Sequence, residues 1–548
     1  MPATVERNGA PGNTGDGLVS TRRVIESDVC IIGSGITAAM AAARLAENTR
    51  ASIVVVEAGD ETVPLEARAS LRQRYIDYDE NPWQHDHVDG LEAAGIQSRS
   101  MQVGGQAMHW GAVTPRFSPE DFRVRSLYGI GEDWPITYHD LEPFYAEAEE
   151  RLGVAGEAGP AELDPRSKPF PMPAIPLSYN LTLLKEWAEK SGTPFWSQPS
   201  AKNSVAYGDR PPCCRSDTCS PVCPIGAKYS PDFTWNALRT AGRVQLMPRT
   251  VVRKLVHVSG GDRIDHAVAT DRDRADVPVE FRARVFVLAG GYVWSPHLLL
   301  LSASARFPDG LANRSGLVGK YMAGHRSVSA QVRVPFRLYP GMNVQHSLVT
   351  KRFMRPGKLD RYIRHDLRVW ESAAGGEPRL RDDEGRVLMG DALLADWRTR
   401  SERGSARLRA YYDVMPARDS EVTLDNARRS PWGDPLPRIR LRDSDASAAL
   451  RAPTEANIES LFGEMVRAAG GELMNVSHGN FQDHPCGGCR MGSDASNGVC
   501  DAHGRTFQHD NLFVIGAPTC VTASCANGTL TFVAVSLRQA AEIERTLG

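Results

Sequence analysis

Residues 27–57 read SDVCIIGSGITAAMAAARLAENTRASIVVVE. Ser27–Ile32 is an apolar run of strand length, and the alanine-rich stretch after Gly35 has helical composition. Ile53–Val56 is a second strand, ending at Glu57. Between the first strand and the helix stands Gly33-Ser34-Gly35. In such a unit the first glycine permits a tight turn and the second lets a pyrophosphate approach the backbone. A small residue three positions on, here Ala38, lets helix and sheet pack closely. The helix N-terminus then faces the phosphates. Glu57, 24 positions after Gly33, is placed to bind ribose hydroxyls. The unit predicts a dinucleotide-binding α/β fold with Gly33, Ser34, Gly35 and Glu57 as cofactor contacts. By itself it does not separate FAD from NAD.

The rest of the composition narrows the class. At 548 residues the chain has room for two to four domains or one large fold with insertions. A hydrophobic share of 41% with 24% charged residues excludes global disorder. Lys+Arg 64 against Asp+Glu 66 leaves no basic excess for a phosphate backbone, so nucleic acid is not an expected partner. The N-terminal stretch lacks an apolar signal-peptide core and reads as a flexible tail over residues 1–23. The long uncharged run Leu512–Leu537 contains Pro518, Asn527, Gly528 and many hydroxyl residues. It is therefore read as a buried strand, loop and helix, not a membrane span. A cytoplasmic location is expected, with export alongside a partner left open.

A second glycine element, Val103-Gly104-Gly105-Gln106-Ala107-Met108-His109-Trp110-Gly111, runs on to Thr114-Pro115-Arg116-Phe117. With it come Gly131–Ile136, Asp140–Tyr145, Phe286-Val287-Leu288-Ala289-Gly290-Gly291 and Asn511–Ala517. In these motifs the chain resembles the glucose–methanol–choline (GMC) flavoprotein oxidoreductases. The likeness is strongest toward bacterial FAD-dependent glucose dehydrogenase subunits, and it extends to aminoglycoside 6′-oxidases and pyranose 2-oxidases. The resemblance implies FAD as cofactor, with Gly104, Gly105, His109, Val252, Gly290, Gly516, Ala517 and Thr529 among its contacts. His109 is implied either to pack beside the flavin ring or to bond to it covalently.

Oxidising an alcohol with a flavin requires a base for the hydroxyl proton, and histidine suits that role because its ordinary pKa of about 6.5 lies near working pH. His484 stands in Asp483-His484-Pro485-Cys486-Gly487-Gly488-Cys489-Arg490-Met491-Gly492, which resembles the family's catalytic-histidine segment. Asn527 stands in Asn527-Gly528-Thr529-Leu530-Thr531, where the family carries Asn-Pro or a second histidine. By resemblance His484 is the base and Asn527 holds the substrate oxygen. Gly528 in place of the usual proline leaves the local backbone open.

Ten cysteines are present, four of them at 213, 214, 219 and 223. This grouping admits free thiols, two disulfides, a zinc site or an iron–sulfur site. Adjacent cysteines are awkward for one tetrahedral zinc, and thiolates are the usual cluster ligands. The glucose dehydrogenases share the spacing, which implies Cys213, Cys214, Cys219 and Cys223 as ligands of an iron–sulfur cluster. Cys486-Gly487-Gly488-Cys489 lacks the βαβ context of a redox motif and is read as incidental.

The expected fold is α/β: a Rossmann-like FAD domain from 24–320 and 478–548, carrying the cysteine segment 210–228. An inserted α+β substrate domain is expected over 321–477. The expected function is oxidation of a sugar or glycoside hydroxyl to a carbonyl, with a cytochrome or other electron acceptor as partner. An aminoglycoside hydroxyl in antibiotic biosynthesis is the alternative substrate.

Overall fold

The computed structural model describes residues 5–8, 23–83, 100–339, 346–355, 363–372, 379–382 and 384–548. The first sheet grows from the strand–turn–helix unit. Arg23–Ile32 pairs in parallel with Ile53–Val56 on one side and with Arg274–Leu288 on the other. All four residues of Ile53–Val56 are buried, as a strand covered on both faces requires. Gln245–Met247 extends one edge in parallel. Ile264–Asp271 and Thr250–His257 extend the other, antiparallel. Leu512–Val514, from the uncharged C-terminal run, adds in parallel to the end of Arg274–Leu288. Val5–Asn8 pairs antiparallel with Arg23–Ile32, so the segment read as a flexible tail contains a strand. The remainder of that segment lies outside the described residues.

The helices Ile36–Asn48 and Thr529–Leu547 share one apolar core with this sheet. Ala38, Ala39, Ala41 and Ala42 are all fully buried, and their small side chains let the helix lie close to its neighbours.

The second sheet is antiparallel, in the order Glu472–Cys486, Ala323–Val334, Gly404–Asp413, Leu367–Glu371, Leu348–Thr350 and Trp196–Ser197. The helices Tyr179–Glu189 and Asp445–Ala469 cover one face through Leu184, Trp187, Ile458 and Phe462. The sheet therefore takes one strand, Trp196–Ser197, from before residue 321. Conversely, the hairpin Glu421–Arg429/Pro435–Arg440 lies inside 321–477 yet packs back on the helix Gly291–Leu301 through Val422, Ile439, Tyr292 and Val293. Among the described residues no helix is long and apolar enough to cross a membrane.

Candidate active site

The first turn shows why its residues are what they are. Gly33 has φ +104°, and a Cβ there would lie 2.6 Å from the Ala289 carbonyl oxygen. Gly35 caps the helix Ile36–Asn48 with φ −63°, and a Cβ there would meet nothing within 4 Å. Ser34 donates from its backbone N (3.0 Å) and its Oγ (2.6 Å) to Oε2 of Glu57, while Gly59 N donates to Oε1 (2.8 Å). Burial pushes the Glu57 carboxyl up, against the pull of these hydrogen bonds. Glu57 thus locks the turn in addition to lining the cavity, which its position after the strand did not announce. Gly104 N donates to Ser34 Oγ (3.2 Å), joining the second glycine element to the first.

These elements wall a cavity of about 490 Å³. Gly33, Ser34, Gly35, Glu57, Gly105, His109, Val252, Gly290, Ala517 and Thr529 line it, as does His484. Gly104 and Gly516 do not. Gly104 stands behind Ser34, and Gly516 N donates to Gln539 Oε1 (2.9 Å). Three helices begin at the wall: Ile36–Asn48, Gly291–Leu301 and Thr529–Leu547. Their N-terminal N–H groups and dipoles make this a favourable place for a pyrophosphate. The open space beside Gly35, the three helix ends and the volume of the cavity fit a dinucleotide cofactor.

His484 stands at the end of the strand Glu472–Cys486 and adopts φ +55°, an uncommon conformation for a residue with a side chain. Its Nε2 lies 2.9 Å from Nδ2 of Asn527, and its Nδ1 lies 3.2 Å from Nε2 of His325. The Asn527 Oδ1 is buried without a hydrogen-bond partner. Gly528 has φ −76°, and the ring of Phe532 fills the space its side chain would take. A residue of ordinary helical backbone and no side chain thus stands where the family's proline would be, and the Asn527 position is kept.

Sequence reading missed several parts of the wall. Trp294 and His297 come from the helix that follows Gly290, and Pro431, Trp432 and Asp434 come from the turn of the hairpin. Ser220 also lines the cavity, which brings the cysteine segment to its edge.

No disulfide joins any of the ten cysteines. Cys213, Cys219 and Cys223 lie near enough to influence one another's ionisation, and burial pushes the Cys213 thiol up. Cys214 is exposed. Lys228 is buried beside Cys219 and Cys223, and burial pushes its ammonium down to about 8. Its Nζ donates to the carbonyls of Cys219 (2.7 Å), Trp110 (2.9 Å) and Met108 (3.1 Å). One ammonium thus ties the cysteine segment to the two residues flanking His109. Among the described residues no three His, Cys, Asp or Glu side chains are arranged to hold a metal ion. The four thiols as they stand do not fit a cluster.

Residues 416–536 match the model of the GMC oxidoreductase family. The C-terminal part of the chain thus carries a GMC oxidoreductase domain. The chain's relatives run the length of the molecule. The oxidoreductase is 29% identical to the fructose dehydrogenase large subunit of Gluconobacter japonicus, over 95% of this chain and 98% of that one. It is 28% identical to the 6‴-hydroxyparomomycin C oxidase of Streptomyces lividus, over 93% and 90%. Among solved structures, a pyridoxine 4-oxidase superposes with a TM-score of 0.62 at 17% identity, covering 94% of this chain and 99% of the other. That last likeness is one of fold.

Proposed function

We propose that this oxidoreductase binds FAD in the cavity and oxidises a hydroxyl of a sugar or glycoside to a carbonyl, with His484 as base and Asn527 holding the substrate oxygen. The observation that carries the reading is the His484–Asn527 pair, 2.9 Å apart, whose His484 lines the same cavity as the glycine turns. When bound, the flavin supplies the hydride acceptor. The chain supplies the rest. His484 Nε2 takes the hydroxyl proton, and Asn527 Nδ2, released from the imidazole, donates to the developing alkoxide. Three helix N-termini and the Gly33–Gly35 turn hold the cofactor's phosphates, and Glu57 fixes that turn. His109, Val252, Gly290, Ala517 and Thr529 are proposed cofactor contacts from their place in the wall.

The test is anaerobic flavin reduction by His484→Ala. The variant should keep its flavin and lose roughly 10²–10⁴ in reduction rate. Reduction at the wild-type rate would refute the assignment.

Two substrate classes divide the reading. Fructose dehydrogenase favours a free sugar, whereas the 6‴-hydroxyparomomycin C oxidase and the paromamine 6′-oxidase of Streptomyces fradiae favour an aminoglycoside hydroxyl. A panel of fructose, glucose and paromamine, run with oxygen and with an artificial acceptor, separates them. An iron–sulfur cluster on Cys213, Cys214, Cys219 and Cys223, feeding a cytochrome-type partner, is supported by the spacing and by Ser220 at the cavity edge. It would require the thiols to move together, so no electron step is routed through it. Iron analysis of anaerobically purified protein decides the point.

A further inference from the structure

We infer that His325 sets the tautomer of His484, so that the nitrogen facing the cavity is the unprotonated one. The inference rests on the reading of His484 as base. His325 is fully buried, and its Nδ1 lies 3.3 Å from the carbonyl oxygen of Ser524. A carbonyl only accepts, so His325 Nδ1 carries the proton. In a neutral ring Nε2 is then the acceptor. That nitrogen lies 3.2 Å from His484 Nδ1, which must therefore donate. His484 Nε2 is left with its lone pair. At the other end Asn527 Nδ2, 2.9 Å away, is a donor to that lone pair. Three hydrogen bonds, fixed at one end by a peptide carbonyl, share one direction.

The backbone is shaped around this chain of bonds. His325 lies where the pairing of Ala323–Val334 with Glu472–Cys486 shifts register on both sides of it. Such irregularities re-aim a side chain. Ser524 at one end, with φ +58°, and His484 within the chain, with φ +55°, both adopt the left-handed conformation. Glycine would adopt it freely, but serine and histidine do so at a cost the surrounding structure must offset.

Across the sheet His325 faces Asp483 on one side and Asp413 on the other. The ring of Tyr411 lies 4.3 Å from its ring, and the guanidinium groups of Arg409 and Arg368 stand over Tyr411 at 4.1 and 4.7 Å. Asp366 accepts from Arg368 Nε (2.6 Å) and from Tyr411 N (2.7 Å). Asp413, opposite His325 in the sheet, is paired with Arg364. Cys525, beyond Ser524, is buried and its thiol is pushed well up. The recorded partner of the base's inner nitrogen is thus the imidazole of His325. Proton transfer to His484 Nε2 makes an imidazolium whose inner N–H still points at an acceptor. Protonating His325 instead would set two N–H groups against each other.

The tautomer can be read directly. In protein labelled with ¹⁵N-histidine, His484 is assigned by difference from His484→Ala. Its Nδ1 should show the shift of a protonated nitrogen and its Nε2 that of a bare one. His325→Phe keeps the bulk and removes the acceptor, whereas His325→Gln restores an acceptor oxygen. The Phe variant should keep flavin, lose on the order of 10–10² in anaerobic reduction rate by fructose, glucose or paromamine, and leave KM unchanged. Its acid limb in rate against pH should move, and Gln should bring both rate and limb back. A purely structural role would lower flavin content and leave the limb in place. Three results overturn the inference: the opposite ¹⁵N pattern in wild type, a Phe variant with wild-type rate and limb, or a Gln variant as slow as His484→Ala. If the Phe variant fails to fold, the ¹⁵N pattern and the Gln variant still decide. If His484→Ala itself reduces its flavin at the wild-type rate, the base reading has failed, and the inference fails with it. Slow His484→Ala beside fast His325→Phe sinks the inference alone.

Discussion

Two glycines two residues apart should fail in different ways. Gly35 opens onto the cavity with an unstrained backbone. Gly35→Val should therefore fold with nearly wild-type thermal stability yet purify colourless, because its methyl groups occupy the space the pyrophosphate needs. Stoichiometric flavin in that variant would refute the assignment of the turn. Gly33 has φ +104° and backbone 2.6 Å from the Cβ position, so Gly33→Ala should lose stability whether or not cofactor is present. Glu57 makes a third case. Its carboxylate holds Ser34 as well as lining the cavity. Removing the carboxylate leaves the Ser34 N–H and Oγ without their acceptor, at a cost of about 1–3 kcal/mol. A variant that lost affinity but no stability would return Glu57 to a ribose role alone.

At the scale of elements, two buried cations hold connections that looked like motif residues in the sequence. Arg116, from the second glycine element, lies away from the cavity. It makes a two-pronged bond to Glu149 (2.8 and 2.9 Å) and a third to Glu142 (2.8 Å) on the helix Tyr138–Leu152. Arg116→Met should cost about 1–3 kcal/mol, because buried Glu149 then keeps only the longer bonds from Arg166 (3.3 and 3.4 Å), with flavin contacts untouched. Urea unfolding of the flavin-loaded protein measures it. Lys228→Met should leave three carbonyls unsatisfied and free the cysteine segment, so buried Cys219 should become reactive to a thiol dye. Unchanged thiol reactivity would show that the tether is not needed. The contrast marks what was legible. The dinucleotide turn, Gly105, His109 and His484 each lie within a short run whose chemistry is local, and the structure brings them to one cavity wall. His325 and the turn at Trp432 reach the site through strand pairing with shifted register and through a distant hairpin, and no local pattern marks that. The order of both sheets was equally out of reach, since Trp196–Ser197 joins strands more than a hundred residues away.

For the molecule as a whole, three buried histidines set a pH dependence of stability. Burial pushes His297 and His365 down to about 4 and His346 to about 3. The unfolded chain, with histidines near 6.5, binds more protons than the folded one below that pH. Stability is therefore whole above about pH 6.5 and is lost as pH falls toward the folded values. The melting temperature should drop between pH 7 and 4.5, and less so in His346→Gln, which keeps a partner for Ser197 Oγ but does not titrate. An equal drop in that variant would remove His346 from the account. His297 belongs also to the hairpin that closes one wall of the cavity, since its Nε2–H donates to the Pro435 carbonyl (2.8 Å). Arg253 grips the same hairpin through both oxygens of Asp434 (2.7 Å each). A cofactor behind that latch leaves only as often as the latch opens, which makes its residence time a property of the hairpin and not of its own contacts. Arg253→Ala should shorten the half-life of bound flavin on dilution while the apoprotein reloads faster. Affinity would then change little, and the turnover of cofactor a great deal.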